Sequence, residues 1–418
     1  MIAGLASRSA EAPVTALGVV VLAGLALRLV WAALLPVEPT SDPAAYHILA
    51  TTLVEHGVYG WGPDEPSAYW AVGAPALYAL GYLVLPPDTA VVALNLAVAL
   101  GSMLALYELG RRWLDVRAGL LAAGAFALWP LGIQFTTVLS SEMPFILFTL
   151  AGLLCWERAR TAGDGALAGG ALLALLGAGL LWAAAVYIRP VGLLTPIVLA
   201  VAETLRGDAR PLAALRRAAL VLGVVVVCVA PWTARNYAVF DAFVPVSTNF
   251  GANFWMGNGA GTEGEYRPLP DDVKGLPEPE RSSILLHRAL DDIAAEPGAF
   301  VTRTALKALA LHERETIGVA WNPSLPALIG ETGTLLLKAV STLYWYVLLA
   351  GGLVGAVYLA LRRGPVATLF STPLIVWAYY TGVYAVTVVG DRYHVPSVPF
   401  IALLGAVALV TWHDRRNG

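Results

Sequence analysis

The feature that most constrains this chain is a series of apolar runs, each about as long as a bilayer core is thick (about 20 residues). In lipid the backbone must form its hydrogen bonds within the segment, so each run predicts a membrane-spanning helix. Charge content agrees, since 13% of the residues are charged, against about 25% in soluble domains. The sequence therefore predicts an all-α polytopic membrane protein.

About ten spans are predicted, each with boundaries uncertain by about two to four residues. They cover residues 14–35, 89–110, 118–138, 142–159, 166–187, 190–205, 213–231, 335–361, 366–388 and 395–412. The first run is too long for a signal-peptide core and lacks a convincing cleavage site, so we expect a retained helix.

Basic residues cluster in alternate connections between these spans. The clusters comprise Arg111, Arg112, Arg117, Arg158, Arg160, Arg206, Arg210, Arg216, Arg217, Arg362, Arg363, Arg415 and Arg416. Because short cytoplasmic loops are enriched in Lys and Arg, these connections are predicted to be cytoplasmic. We therefore expect a multi-pass protein of the inner (plasma) membrane with both termini in the cytoplasm.

The chain is expected to have three parts. Residues 1–231 form an N-terminal transmembrane module, residues 232–334 form an outer loop region, and residues 335–418 form C-terminal transmembrane helices. The N-terminal module includes a first outer loop, residues 36–88, which contains six acidic residues and neither Lys nor Arg.

Three amphipathic helices are predicted in the outer loops. Helical spacing of apolar residues in Pro43–Glu55 and the apolar stretch Tyr69–Val84 indicate helices lying along the membrane interface. In the second outer loop, Phe300–His312 has an amphipathic pattern with Arg303 and Lys307 on its polar side.

Charged residues at the outer ends of the spans are the candidates for chemistry, because ionisable groups beside a bilayer core are costly. They are Asp42, Glu142, Arg189, Arg235 and Arg392, and Arg28 in the outer third of the first span is a further candidate. Asp42 and Glu142 also stand where helices begin, so helix capping is an alternative role for both. For Arg189 and the Arg392–Tyr393 pair the alternative is anchoring at the lipid headgroups.

Other classes of chemistry have little support in the sequence. The two cysteines lie inside predicted spans, and no Cys/His spacing indicates a metal site. No Gly-rich nucleotide fingerprint follows a strand. A net charge of −3 gives no reason to expect a nucleic-acid partner.

Several fragments occur in an order that resembles a known family. They are Asp42-x-x-x-Tyr46…Gly57-x-Tyr59, Tyr69…Gly73-x-Pro75, Pro231-Trp232-Thr233-Ala234-Arg235-Asn236, Asn253…Gly257-Asn258 and Arg392-Tyr393-His394-Val395-Pro396. Together they resemble GT-C glycosyltransferases, in particular glycosyltransferase family 39 and its aminoarabinose-transferase-like relatives.

The resemblance implies that a sugar is transferred from a polyprenyl-phosphate donor to a lipid, glycan or protein acceptor at the outer face of the membrane. It implies that Asp42 is the catalytic acid/base and that Glu142 lines the site or binds a metal. Arg392 and Tyr393 match a donor-side motif, and Tyr46, Tyr69, Asn258 and His394 are expected in the substrate pocket. Many relatives have a second acid directly after the first, where this chain has Pro43. The resemblance leaves the sugar and the need for a divalent metal ion open.

Elementary chemistry is compatible with this scheme. Arg189, Arg235 and Arg392 provide guanidinium groups that suit the oxygens of a lipid phosphate. A carboxylate at the membrane boundary can accept the proton of an acceptor hydroxyl. We therefore predict an inverting displacement with Asp42 as the base.

Two other functions remain open. A polyprenyl-linked glycan polymerase or ligase would depend on arginines in the 232–334 loop rather than on Asp42. A lipid or sugar transporter would show inverted repeats and polar sites near the bilayer midplane. No internal repeat is evident, and Arg28 is the one ionisable residue that could mark a midplane pathway.

Overall fold

The computed structural model describes residues 2–161 and 169–417, which are almost entirely helical. The helices are α1 (Ile2–Leu34), α2 (Asp42–His56), α3 (Gly73–Tyr82), α4 (Pro87–Trp113), α5 (Val116–Leu128), α6 (Pro130–Gln134), α7 (Glu142–Thr161), α8 (Gly169–Ile188), α9 (Thr195–Arg206), α10 (Pro211–Phe240), α11 (Phe250–Asn258), α12 (Asp271–Lys274), α13 (Glu278–Ala295), α14 (Pro297–Ala310), α15 (Ile317–Ala320), α16 (Leu325–Arg363), α17 (Pro365–Leu369), α18 (Thr372–Val386) and α19 (Val398–Asn417). Three 3₁₀ turns accompany them: Phe135–Thr137, Pro190–Leu194 and Val395–Ser397. Residues 166–168 of one predicted span, and the side chains of Arg415 and Arg416, lie outside the described part of the chain.

The helices confirm a multi-pass membrane architecture. Within the described residues, six helices are long and apolar enough to cross a membrane: Pro13–Leu34, α4, α8, α10, α16 and Val395–His413. The bent pair Val116–Leu128 and Pro130–Thr137 makes a seventh if it counts as one span. The other predicted spans coincide with α7, α9 and α18, of which α9 has 12 residues and α18 has 15. The count of ten therefore stays a prediction.

Arg28 stabilises the bend of 56° between α5 and α6. Pro130 has no amide hydrogen, so the helical ladder is interrupted at the bend. The buried Arg28 guanidinium of α1 donates to the carbonyl oxygens of Phe126, at 3.3 Å, and Ala127, at 2.9 Å. Arg28 thus satisfies backbone groups in the bundle interior and does not join the other candidate charges.

Glycines permit a close helix crossing, that of α16 with α19. A Cβ atom at Gly355 would overlap the carbonyl oxygen of Leu404, and one at Gly352 would overlap the Ile401 side chain. Small residues at such crossings are typical of membrane helices, because close backbone approach increases van der Waals contact. These contacts fix the end of the chain against the long helix α16.

The first connecting segment, residues 35–86, contains α2, a two-stranded hairpin and α3. The hairpin pairs β1 (Gly60–Gly62) with β2 (Glu65–Pro66) in antiparallel fashion. The predicted helix Pro43–Glu55 is confirmed as α2, while the predicted stretch Tyr69–Val84 is helical only over Gly73–Tyr82. α2 packs its buried apolar face against α3, so the two helices support each other above the bundle.

The long connecting segment, residues 241–324, contains α11 to α15. The predicted helix Phe300–His312 is found as α14, Pro297–Ala310. The prediction that Lys307 lies on its polar side is wrong, since Lys307 is 1% exposed. Its Nζ donates to the carbonyl oxygens of Gly257, at 3.0 Å, and Thr387, at 2.9 Å. These carbonyls lie at the ends of α11 and α18, where a helix leaves its last acceptors free.

Candidate active site

Asp42 is the first residue of α2, and its carboxylate points towards the C-terminal part of the chain. Ser41, directly before it, has φ 56° and ψ −130°, a conformation that side chains rarely adopt. Oδ2 of Asp42 accepts a hydrogen bond from Nη2 of Arg392 in a largely buried ion pair. The carboxylate of Asp42 is therefore engaged in an ion pair and does more than cap α2.

Glu142 is the first residue of α7 and is fully buried. Its Oε1 accepts from Nη1 of Arg189 at 2.7 Å and lies 3.4 Å from Nη1 of Arg392. Arg392 thus contacts both carboxylates, and Arg189 contacts one of them. Two carboxylates and two guanidinium groups form a buried cluster of zero net charge, which we call the charge cluster.

Arg189 follows the last residue of α8, where the chain turns at Pro190. Its Nη1 also donates to Oγ of Ser141 at 2.7 Å, and its Nε donates to the hydroxyl of Tyr384 at 3.0 Å. Its guanidinium lies over the rings of Tyr384 and Tyr393, whose centroids are 4.9 Å apart in a stacked pair. The structure therefore places Tyr393 beside the charge cluster, as predicted, together with Ser141 and Tyr384, which the sequence analysis did not select.

Arg392 lies in the turn of residues 391–394 that precedes α19. Its guanidinium lies over the rings of Trp321, at 4.8 Å, and Tyr393, at 5.2 Å. Burial is the largest single effect and opposes its positive charge, but Asp42, Tyr393 and Glu142 together outweigh burial and raise the pKa of Arg392 well above its ordinary value. Arg392 is consequently a permanent cation in the centre of the site.

Tyr46 and Tyr69 lie at the same end of the bundle. The buried Tyr46 hydroxyl donates to Oγ of Ser141 at 3.3 Å. Burial, with Asp42 and Tyr393 as further neighbours, raises the pKa of Tyr69 to about 12, so its hydroxyl keeps its proton. Both tyrosines therefore lie near residues of the charge cluster or their direct neighbours.

Three other predicted site residues lie apart from the charge cluster. Nη1 and Nη2 of Arg235 donate to the carbonyl oxygens of Ser67 and Tyr59, each at 2.9 Å, so Arg235 holds the first connecting segment. Asn258 accepts from Lys307 at 3.0 Å in the packing between α11 and α14. His394 is buried with its Nε2 3.1 Å from Oε2 of Glu315. None of the three makes a hydrogen bond or ion pair with Asp42 or Glu142 among those of the described residues.

The oxygen atoms of the charge cluster can be compared with the ligands that a divalent cation needs. Ions such as Mg²⁺ and Ca²⁺ take about six or more oxygen ligands. The described residues contain no group of three or more His, Cys, Asp or Glu side chains placed to hold a metal. The two carboxylates of the cluster both contact Arg392, whose guanidinium stands where a bridging cation would lie. The arrangement in this structure therefore does not fit a resident divalent ion.

An apolar cavity of about 520 Å³ lies between α3, α7, α8 and α10. Its lining includes Leu77, Leu80, Phe148, Ile188 and Trp232. Ile188, which lines the cavity, directly precedes Arg189 of the charge cluster in the sequence. Such a cavity suits a hydrocarbon chain whose polar end reaches the arginines.

The comparisons with known proteins concern the fold. No protein-family model and no curated protein matches the sequence. The structure is similar to the Archaeoglobus fulgidus oligosaccharyltransferase AglB in complex with an inhibitory peptide and a dolichol-phosphate, with a TM-score of 0.60 and 16% identity over 96% of this chain and 50% of that one. A structure of the same enzyme with Zn and sulfate gives a TM-score of 0.60 and 15% identity over 96% of this chain and 49% of that one.

The structure is also similar to ArnT from Cupriavidus metallidurans in the apo state. The TM-score is 0.55 and the identity 16%, over 95% of this chain and 62% of that one. The chain therefore spans about half the length of the oligosaccharyltransferase that it resembles and less than two thirds of ArnT. It shares the fold of these two proteins.

Proposed function

We propose that this chain, which has the GT-C fold, is a membrane glycosyltransferase that transfers a sugar from a polyprenyl-phosphate donor to an acceptor hydroxyl. The observation that carries the proposal is the charge cluster of Asp42, Glu142, Arg189 and Arg392 at one end of the helix bundle. An apolar cavity whose lining includes Ile188, the residue before Arg189, supports it. The oligosaccharyltransferase of similar fold was solved with a dolichol-phosphate, a lipid of the same chemical class.

The donor phosphate would bind at Arg392. Nε and Nη1 of Arg189 already donate to Tyr384, Ser141 and Glu142 at 2.7–3.0 Å, whereas the contact of Arg392 with Glu142 is longer, at 3.4 Å. A phosphate that pairs with a guanidinium forms strong charge-assisted hydrogen bonds. The lipid chain would then lie in the apolar cavity that begins at Ile188.

The chemistry is a single displacement at the anomeric carbon. The acceptor oxygen forms a bond to that carbon while the bond from the carbon to the phosphate oxygen breaks. The hydroxyl proton passes to the carboxylate of Asp42, and polyprenyl phosphate leaves with its negative charge held by Arg392. Attack opposite the leaving group inverts the configuration of the sugar.

The ion pair between Asp42 and Arg392 couples binding of the donor to activation of the base. As long as Nη2 of Arg392 donates to Oδ2 of Asp42, that oxygen is occupied and cannot accept the proton of a hydroxyl. A phosphate competes for the same guanidinium and so weakens that ion pair. Asp42 becomes an effective base only when the donor is in place.

The orientation follows from the arginine clusters. They lie at the ends of the helices opposite the charge cluster, as in Arg111 and Arg112 at the end of α4. By the positive-inside rule the charge cluster belongs to the outer face of the inner membrane. We keep the proposed organisation of residues 1–231, 232–334 and 335–418, with the catalytic acid in residues 36–88. Acceptors of lipid, glycan or protein type remain compatible.

The test is sugar transfer by purified protein in nanodiscs, with polyprenyl-phosphate donors that carry a hexose or an aminopentose. Asp42→Asn should lower the transfer rate by about 100-fold to 10,000-fold, the usual contribution of a general base. Asp88→Asn is the matched control, since Asp88 is an exposed first-turn acid at the same end of the bundle. Full transfer by a folded Asp42→Asn variant would refute the role of Asp42. Loss of product only on substitution of arginines in the 232–334 loop would indicate the polymerase or ligase alternative, and lipid translocation without transfer would indicate a transporter.

A further inference from the structure

The turn that presents Arg392 is held by a short part of the long connecting segment. Arg392 and its partner Asp42 are 350 positions apart in sequence, so their contact depends on how this turn is supported. Residues on both sides of the Arg392–Tyr393 pair bond to two consecutive residues, Glu315 and Thr316.

On the N-terminal side of the pair, Asp391 is bound by Thr316. Oδ2 of Asp391 accepts from the amide nitrogen of Thr316 at 3.0 Å and from its Oγ1 at 2.6 Å. A carboxylate that accepts two hydrogen bonds from one residue fixes both the position and the direction of the turn.

On the C-terminal side, His394 is bound by Glu315. Glu315 is fully buried, its two oxygens accept from Nε1 of Trp129 at 2.9 and 3.0 Å, and Oε2 lies 3.1 Å from Nε2 of His394. The His394 ring stacks on Trp345 with centroids 4.2 Å apart. The imidazole is therefore fixed by a hydrogen bond at its edge and an aromatic ring on its face.

Burial affects the protonation of both Glu315 and His394. Burial raises the pKa of Glu315 well above its ordinary value and lowers the pKa of His394 to about 4. Burial thus favours the uncharged form of both groups, and a protonated Glu315 would donate to Nε2 of His394. A neutral hydrogen bond of this kind can be replaced by an amide, because glutamine also has one donor and one acceptor at its end.

The same segment also reaches Arg392 itself. Trp321, which follows α15, places its ring 4.8 Å from the guanidinium. Residues 315–321 therefore support the turn at Asp391, Arg392 and His394.

We propose that Glu315, Thr316 and Asp391 are positioning residues that hold Arg392 between the carboxylates of Asp42 and Glu142. The inference rests on the proposed function for its kinetic consequence, but the position of Arg392 can be tested without any transfer reaction. It assigns the long connecting segment the task of placing the cation of the site.

The first test is structural. A cryo-EM map of the Glu315→Leu protein in nanodiscs should show a displaced 391–394 turn and no contact between Arg392 and Asp42. The Glu315→Gln map should keep the contact, because the amide can donate to His394 and accept from Trp129. A retained contact in Glu315→Leu would overturn the proposal, whatever the activity of the protein. If Glu315→Leu does not fold, Thr316→Val combined with Asp391→Ala removes the second anchor and is judged by the same contact.

The second test is kinetic. It compares the sugar-transfer rates of the variants with that of the wild type and requires that the wild type transfers sugar. Glu315→Leu should lower kcat by about 100-fold, the loss that a misplacement of about 1 Å can cause, while Glu315→Gln stays close to wild type. Thr302→Val, on the exposed side of α14, is a matched control for Thr316→Val. A large loss in folded Glu315→Gln would show that an ionised Glu315 takes part in the chemistry and would overturn the positioning role. If the wild type transfers no sugar yet the contact is lost in Glu315→Leu, the proposed function fails and the positioning role stands.

Discussion

The charge balance of the cluster makes a prediction for Glu142→Gln. The two carboxylates and two guanidinium groups cancel in the wild type, so the substitution leaves a buried net charge of one positive unit. Glutamine has nearly the same shape and can still accept the hydrogen bond from Arg189. The variant therefore isolates the loss of charge from a loss of packing.

The magnitude follows from the burial of Glu142, which is 0% exposed. Removing one partner of a buried ion pair typically costs about 3–5 kcal/mol, because the other charge stays buried without compensation. With an unfolding entropy of about 2.1 cal/mol/K per residue over the whole chain, this corresponds to a fall of the unfolding midpoint by roughly 3–6 °C.

An added anion should reverse the effect. A phosphate group at Arg392 supplies the missing negative charge, so polyprenyl phosphate should raise the unfolding midpoint of Glu142→Gln more than that of the wild type. At about 100 times the dissociation constant, binding contributes about 2.7 kcal/mol. The assay is thermal unfolding in detergent micelles with increasing polyprenyl phosphate.

Glu108→Gln is the control, since Glu108 also pairs with arginines but is partly exposed at the opposite end of the bundle. Glu108→Gln should lower the unfolding free energy by at most about 1 kcal/mol. Polyprenyl phosphate should raise its unfolding midpoint no more than that of the wild type. An unchanged midpoint for Glu142→Gln, or an equal rise with phosphate in variant and wild type, would refute the reasoning about net charge.

Three further predictions concern stability and are measured by thermal unfolding. Ser41→Gly should raise the unfolding free energy by up to about 1 kcal/mol, because glycine adopts φ 56° without the strain that serine carries; a lower midpoint would contradict this. Gly355→Val should prevent the crossing of α16 and α19 and leave little folded protein, whereas normal yield would contradict the packing. Unfolding makes Glu315, whose pKa is raised in the folded protein, release a proton and makes His394, whose pKa is lowered, take one up, so their effects on the pH dependence of stability oppose each other in the wild type. In Glu315→Gln only the lowered pKa of His394, about 4 when folded, remains. Stability of that variant should then fall as the pH falls below about 6.5, by about 1.4 kcal/mol per pH unit; equal slopes in the two proteins would contradict the neutral pair.

The apolar runs and the arginine clusters were enough to predict the class of fold. Both depend on short stretches of sequence, because a span is defined by its own hydropathy and its own flanking charges. The positions of Asp42, Glu142, Arg189 and Arg392 could be selected for the same reason, since each stands at the end of an apolar run. The presence of short helices in the first connecting segment was likewise predictable from local periodicity.

The partners of these residues could not be predicted in the same way. Nothing near Lys307 in sequence distinguishes it from an exposed lysine on an amphipathic helix, because its burial depends on α11 and α18. Arg235 and Arg28 likewise resemble candidate site residues until the carbonyl groups that they bind are brought beside them.

The sequence by itself thus determined a helical membrane protein with charged residues at the ends of its spans. Only the tertiary structure decided that Arg392 joins Asp42 to Glu142, and that Glu315 and Thr316 support the turn carrying it. The physical reason is that hydropathy and helix formation are properties of neighbouring residues. Ion pairing in a low-dielectric interior instead depends on which distant helix ends the packing brings together.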